Sequence, residues 1–301
     1  MPTSVDLSRV GAVIVTYASA GHVGGCLDAL RLSGLGAVVV VDNASPDDTV
    51  QVIRRRRDPG LTLVQQDNIG FGGGCNTGAR ALPPQCDTIL FCNPDARIAP
   101  GDISRLVAGL LADERRALVG PRLRCGPAPL TSAGAEPRFV TEFRPLLPHV
   151  LGRVLPARQL PPEHESTQAV GYVEGACMLA RRAAFEQLGG FDEAYFLCFE
   201  EIDLATRLRA AGWQVALVAD AWAEHCAGQS RAAIPVGGRD YALVGLLRYL
   251  RLHRGERSAR WYARAARASL LLRARTGRFP VEEYRRLQPV LRTASRGAPP
   301  G

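Results

Sequence analysis

Four short apolar runs, each stopping at a polar pair or triplet, narrow the folds open to this chain. Residues 10–17 close on Thr16-Tyr17, residues 37–41 stop at Asp42-Asn43, residues 61–65 lead to Asp67-Asn68, and residues 88–92 stop at Asn93-Pro94-Asp95. Runs that are apolar throughout, rather than alternating, belong to strands covered on both faces. Helix-like spacing fills residues 22–32, 75–82 and 101–111 between and after them. Repetition of strand and helix with short connections predicts parallel strands joined by right-handed crossovers. Ligands of such sheets bind beyond the carboxyl ends of the strands. Asn, Pro and Asp are common in turns, so one polar ending means little. Four endings at one edge predict a site.

Ser45-Pro46-Asp47-Asp48 is expected to open a helix, with Ser as N-cap and Pro at the first helical position. From Pro121 to Gln168 frequent prolines predict a loop-rich insertion with no regular pattern. Order returns with an apolar run over 170–180, a short helix over 182–188 and the turn Gly189-Gly190. A helix over 200–211 is closed by Gly212, and a last strand spans 215–218. The expected division is a catalytic domain over 1–230 and a basic helical region over 231–301.

The chain holds no lysine, which excludes a Walker-type phosphate loop and Schiff-base chemistry. From Arg248 to Gly301 there are 14 arginines and three glutamates, a net of +11. The other 23 arginines face 26 acids, a net of −3. None of the eight cysteines forms a Cys-x-x-Cys pair, so buried thiols in a reducing compartment are expected. No apolar run approaches the roughly 18 residues of a membrane span. The first residues carry no basic segment ahead of a long apolar core, so a cytoplasmic location is expected.

Three features invite chemistry. The stretch "DNIGFGGGCNTG" departs from Gly-x-Gly-x-x-Gly and is not placed after the first strand. It reads equally as backbone brought close to a nucleotide or sugar, or as a flexible surface loop. Glu200, Glu201 and Asp203 begin a helix directly after Phe196-Leu197-Cys198-Phe199. Acids favour helix N-termini on electrostatic grounds alone, but an apolar neighbour also desolvates a carboxylate toward general-base duty. His225 ends the last strand, either as a structural side chain or as a ligand of a divalent metal.

Six blocks in order carry a resemblance: "VIVTYASAGHVGGCLDAL", "VVVVDNASPDDT", "QQDNIGFGGGCNTG", "ILFCNPDA", "VEGACMLARRAAFEQLGGFDEAYFLCFEEIDLATRLRAAGW" and "HCAGQS". They frame about three quarters of the chain. The chain resembles family 2 glycosyltransferases of the GT-A fold, most closely the rhamnosyltransferase-like branch. The resemblance implies an α/β fold, a Rossmann-like and mostly parallel sheet flanked by helices, with a basic helical appendage. It implies an inverting transferase for a nucleoside-diphosphate-sugar, with dTDP-rhamnose preferred and UDP-sugars also considered, acting on a glycan or polyprenyl-linked acceptor. Thr16, Tyr17, Asp42 and Asn43 would hold the nucleoside, and Asn68, Gly70, Phe71, Gly72 and Asn76 would surround the donor. Asn93 and Asp95 occupy the Asp-x-Asp position. Asp95 and His225 would bind Mg²⁺ or Mn²⁺ against the diphosphate. Glu201 stands where the family usually has Asp and is the expected base, with Glu200 as fallback and Asp203 as helix support.

Residues 240–275 predict two amphipathic helices rich in arginine. Contact with an anionic membrane surface is preferred there over plain packing, and nothing supports nucleic-acid binding. Two other readings stand beside the transferase. A sugar-nucleotide nucleotidyltransferase would want a lysine that this chain lacks. A non-catalytic basic membrane-binding protein would leave the four polar strand ends unexplained.

Overall fold

The computed structural model describes residues 5–138, 141–142, 167–226 and 238–296. In chain order the first elements are β1 (Val10–Thr16), α1 (Val23–Arg31), β2 (Ala37–Asn43), α2 (Thr49–Arg54), β3 (Leu61–Gln66) and α3 (Gly70–Ala81). Then come β4 (Thr88–Cys92), β5 (Ala96–Ile98), α4 (Pro100–Leu111), β6 (Arg116–Cys125), β7 (Ala128–Leu130), β8 (Ala133–Gly134), β9 (Gln168–Ala169), β10 (Tyr172–Val173) and β11 (Cys177–Arg181). The chain goes on through α5 (Arg182–Gln187), α6 (Glu200–Ala210) and β12 (Gln214–His225). It ends in three helices: α7 (Gly238–Arg254), α8 (Glu256–Arg275) and α9 (Val281–Ser295).

The continuous apolar runs are explained by burial on both sides. Ala12 and Ile14 of β1 join Val40, Leu90 and the α1 and α4 residues Leu27, Leu30, Leu106 and Leu110 in one core. Val13 and Val15 alternate to the opposite face, where α3 packs, and are buried as well. Each such aliphatic side chain contributes about 1.5–3 kcal/mol. The sheet runs β3-β2-β1-β4-β11-β6-β12-β5. Its first four strands are parallel, β11 is antiparallel to both neighbours, and β12 is parallel to β6. The fold is α/β, mixed but mostly parallel.

Several expectations need correction. From Gly70 onward the glycine-rich stretch is not a loop but most of α3. Its glycines let the helix press on the sheet: a Cβ on Gly74 would stand 2.7 Å from Val15 Cγ1, and a Cβ on Gly78 only 2.3 Å from Val13 Cγ1. Glycine lowers helix propensity by about 1 kcal/mol per residue, which close packing offsets here. Helix α2 starts at Thr49 with Asp48 before it, so Ser45 is not its cap. Strand β6 runs on past Pro121, because the ladder with β12 breaks register beside it, between Val218 and Trp222. Strand β12 is three times the expected length. Past Ala219 it is covered on one face only, with Asp220 exposed and Ala221 and Ala223 buried, so its apolar run ends before the strand does. The run over 170–180 is two strands, β10 and β11. The proline-rich insertion also carries the short strands β7 and β8, while its residues 139–140 and 143–166 lie outside the described residues, as do residues 227–230 of the "HCAGQS" block.

The cysteines are not all thiols, since Cys125 and Cys226 form a disulfide across 101 residues. Spacing carries no signal for a pair that two neighbouring strands bring together. Cys26, Cys75, Cys86, Cys92 and Cys177 are free and buried.

The chain divides into two compact units, Met1–Ala135 with Gln159–Pro235, and Glu136–Arg158 with Val236–Gly301. The second contains a third helix, α9, that sequence periodicity did not reveal. Pro289 inside it reads as a helix breaker. Asp240 pairs with Arg286, and Arg254 with Glu136 at 2.6 Å, within this unit. Among the described residues no helix is long and apolar enough to cross a membrane.

Candidate active site

The parallel register sets Thr16 beside Asp42 at the carboxyl ends of β1 and β2. Thr16 Oγ1 donates to Asp42 Oδ1 at 2.9 Å, and Ser45 donates to the same carboxylate through both its backbone N–H and its hydroxyl. Ser45 Oγ also accepts from the Ala18 backbone at 3.0 Å, tying together the loops after the two strands. Asp42 is 1% exposed, with its oxygens oriented by three donors. Asn43 donates to Gly70 O at 2.9 Å and accepts from Gln66 at 2.8 Å, which fastens the start of α3 to the end of β2. Tyr17 is half-buried beside this cluster.

Among the described residues the non-glycine positions with positive φ are Ala18, Ala44, Cys198 and Phe199. Ala18 follows the end of β1, Ala44 the end of β2, and the other two precede Glu200. The left-handed conformation costs roughly 1–2 kcal/mol per residue. Such strain gathers where surrounding contacts hold a functional geometry.

Gly70 has φ +87°, and Phe71 N donates to Phe196 O at 3.0 Å. A Cβ on Gly70 would lie 2.3 Å from Phe196 O. Gly70→Ala is therefore expected to destabilise the chain by about 2 kcal/mol or more. A thermal melt should fall by roughly 4–8 °C, and an unchanged melt would contradict this geometry. Asn68 accepts from Gly70 N at 3.1 Å, and Phe71 sits edge-on to Phe191 with centroids 6.3 Å apart. Gly72 lies against Phe191 and Glu200. Asn76 is committed elsewhere. Its amide clasps Phe191 O and N, both at 2.9 Å, and reaches Glu193, so it braces the Gly189–Phe191 turn rather than standing open to a donor.

The turn after β4 is built by Asn93-Pro94-Asp95-Ala96, with Ala96 N donating to Asn93 O at 3.0 Å. Proline sets φ for the second turn position. The chain reverses into β5, which pairs antiparallel with the end of β12 so that Ala96 faces His225. Asp95 is thereby brought to His225 across 130 positions. His225 Nε2 is 3.3 Å from Asp95 Oδ1 and 3.5 Å from Asn93 Nδ2, with the two paired side chains 13% and 3% exposed. The next residue, Cys226, is bonded to Cys125 at the end of β6. Adjacent ligands of an octahedral ion at about 2.1 Å lie about 3 Å apart, so the pair fits a divalent cation. Among the described residues no third His, Cys, Asp or Glu completes a cluster. Mg²⁺ beside phosphates is usually held by one or two protein ligands together with waters and phosphate oxygens.

Glu200 and Glu201 open α6. The Glu200 side chain is buried against α3: its Cβ would be 3.6 Å from a Cβ on Gly72. Burial, and secondarily the Glu200 charge, push the Cys75 thiol well above its ordinary range. Glu201 turns the other way, toward Gly175, where an added Cβ would lie 3.9 Å from its Cδ. Gly175 precedes Ala176, whose carbonyl accepts from Asn93 N at 2.9 Å. Glu201 and the Asp95 turn thus flank one short backbone segment. Asp203 is buried and pairs with Arg207 at 2.7 Å, and Arg207 donates to Leu188 O and Gly190 O. Asp203 supports the helix.

Residues 12–189 match the family model Glycosyl transferase family 2, and residues 158–235 match Glycosyltransferase like family 2. The chain belongs to glycosyltransferase family 2. It is 31% identical over 241 residues to the N-acetylglucosaminyl-diphospho-decaprenol L-rhamnosyltransferase of Mycobacterium tuberculosis, covering 74% of this chain and 78% of that one. Rhamnosyltransferase WbbL of Escherichia coli K12 is 27% identical over 209 residues, covering 64% and 74%. These relatives place this glycosyltransferase in the rhamnosyltransferase-like branch. Solved structures agree in fold. GalNAc-T7 with UDP, GalNAc and Mn²⁺ gives a TM-score of 0.61 at 13% identity, covering 87% of this chain and 51% of that one. S. aureus TarS 1-349 gives 0.52 at 13% identity, covering 94% and 91%.

Sequence reading missed Ser45 as the link between two site loops, Gly175 as the floor beneath Glu201, and the disulfide behind His225. Ser45 carried a signal, but helix capping explained it equally well. The other two have none without the fold.

Proposed function

We propose that this glycosyltransferase is inverting and cation-dependent, moving L-rhamnose from dTDP-rhamnose to a hydroxyl of a polyprenyl-diphosphate-linked sugar. The observation that carries the mechanism is the 3.3 Å approach of Asp95 and His225 at the strand edge, with Glu201 across Gly175. The M. tuberculosis relative supports the choice of sugar and acceptor class. Thr16, Tyr17, Asp42 and Asn43 hold the nucleoside at a strand edge made rigid by the Ser45 bonds. Asn68, Gly70, Phe71 and Gly72 line the approach to the sugar. Asp95 and His225 would hold Mg²⁺ or Mn²⁺, which when bound neutralises the charge gained by the departing nucleoside diphosphate. Glu201 takes the proton of the acceptor hydroxyl as that oxygen bonds to the anomeric carbon opposite the leaving diphosphate, which inverts the configuration.

The test is nucleotide release from a panel of dTDP- and UDP-sugars, with and without a lipid-linked acceptor. dTDP-rhamnose should give acceptor-dependent release. EDTA should abolish it, and Mg²⁺ or Mn²⁺ should restore it. Full turnover in chelator would remove the cation from the mechanism, and preference for a UDP-sugar would replace the donor.

A further inference from the structure

Helix α8 already buries one face. Ala259, Tyr262, Ala263, Ala266 and Ala274 are covered, and α7 and α9 pack against the helix. Its other face reads Arg257, Trp261, Arg264, Ala268, Leu272, Arg275, all exposed. The steps of three and four residues keep these six within an arc of about 80° along roughly 27 Å of helix. Trp261 is 61% exposed and Leu272 65% exposed, and Arg264 leans over the Trp261 ring at 5.7 Å. A core explanation is closed to this stripe, because the core face is the opposite one.

We infer that the Arg257–Trp261–Arg264–Leu272–Arg275 stripe docks the chain on an anionic lipid surface. Tryptophan and leucine suit the boundary between headgroups and acyl chains, and the arginines between them meet lipid phosphates. The charge supports the choice of partner. The chain from Arg248 onward carries a net +11, while the remainder carries −3. The stripe alternates indole and aliphatic groups with cations along one helix side. A purely phosphate-binding surface has no use for an exposed leucine between them. The inference is independent of the transfer chemistry, so either can fail alone.

The test is flotation of the full chain with vesicles of phosphatidylcholine alone, and with vesicles in which about a third of the lipid is phosphatidylglycerol. The chain should float with the anionic vesicles only, with a blue shift of tryptophan fluorescence. Trp261→Ser should remove that shift, and Trp261→Ser/Leu272→Ser should weaken partition at least tenfold. Arg257→Gln/Arg264→Gln/Arg275→Gln should weaken it about a hundredfold, at roughly fivefold per arginine. The replaced side chains are exposed, so melting temperature and donor hydrolysis should not change. Absence of flotation would overturn the inference. So would full binding by the Trp261/Leu272 double variant, or displacement from the vesicles by a duplex oligonucleotide at equal phosphate concentration.

Discussion

Asp95→Asn is expected to lower transfer by roughly 10²–10³-fold, because it removes the one anionic side chain of the Asp95–His225 pair. Asn93 already stands at the other end of the turn, so the variant would present two amides and an imidazole to a divalent cation. A neutral set of that kind holds Mg²⁺ and Mn²⁺ weakly. Millimolar Mn²⁺ should recover part of the lost rate, and His225→Ala should respond to Mn²⁺ in the same direction. The amide keeps the shape of a side chain that is 3% exposed, so the fold should survive. Loss of activity with an unchanged melt and partial recovery by Mn²⁺ identifies a ligand. Loss with a collapsed melt would instead mark Asp95 as structural, and unchanged transfer would sink the assignment.

Glu201→Gln separates donor binding from chemistry. A positioned general base is worth roughly 10²–10⁴-fold, and transfer should fall by that amount while donor affinity stays within about twofold. Thermal shift with dTDP measures the binding, and acceptor-dependent nucleotide release measures the transfer. Geometry makes Glu201 the stronger choice. Glu200 is 4% exposed and set against Gly72 in α3, whereas Glu201 faces Gly175 beside the Asn93 turn. If Glu200→Gln stops transfer and Glu201→Gln does not, the roles are exchanged.

The strand edge was legible because burial writes directly into composition. Strands covered on both faces must be apolar at consecutive positions, and only their carboxyl ends can be polar, as Asp42-Asn43 and Asn93-Pro94-Asp95 are. The glycine run was misread for a related reason. Glycine marks close approach of backbone, but sequence does not say to what: at Gly74 and Gly78 the approach is to valines of the sheet, and at Gly70 it is to Phe196 O. Strand β12 was cut short because its outer half is exposed on one side, so its pattern alternates where a buried strand's would not. Pro289 concealed α9 because a proline is locally a helix breaker whether or not tertiary packing overrides it.

The sequence by itself determined that this chain is α/β, that its parallel strands end in polar residues at one edge, and that its positive charge is concentrated near the C-terminal end. These follow from local rules of burial, periodicity and charge, which act over a few residues. Only the tertiary structure decided that Asp95 meets His225, that Cys125 bonds Cys226, and that Glu201 rather than Glu200 turns toward Gly175. The first two depend on strand pairing and the third on the packing of α6 against β10 and β12, between segments roughly 25–130 residues apart, and loop closure over such spans is fixed by the packing of the whole sheet rather than by any residue near the site.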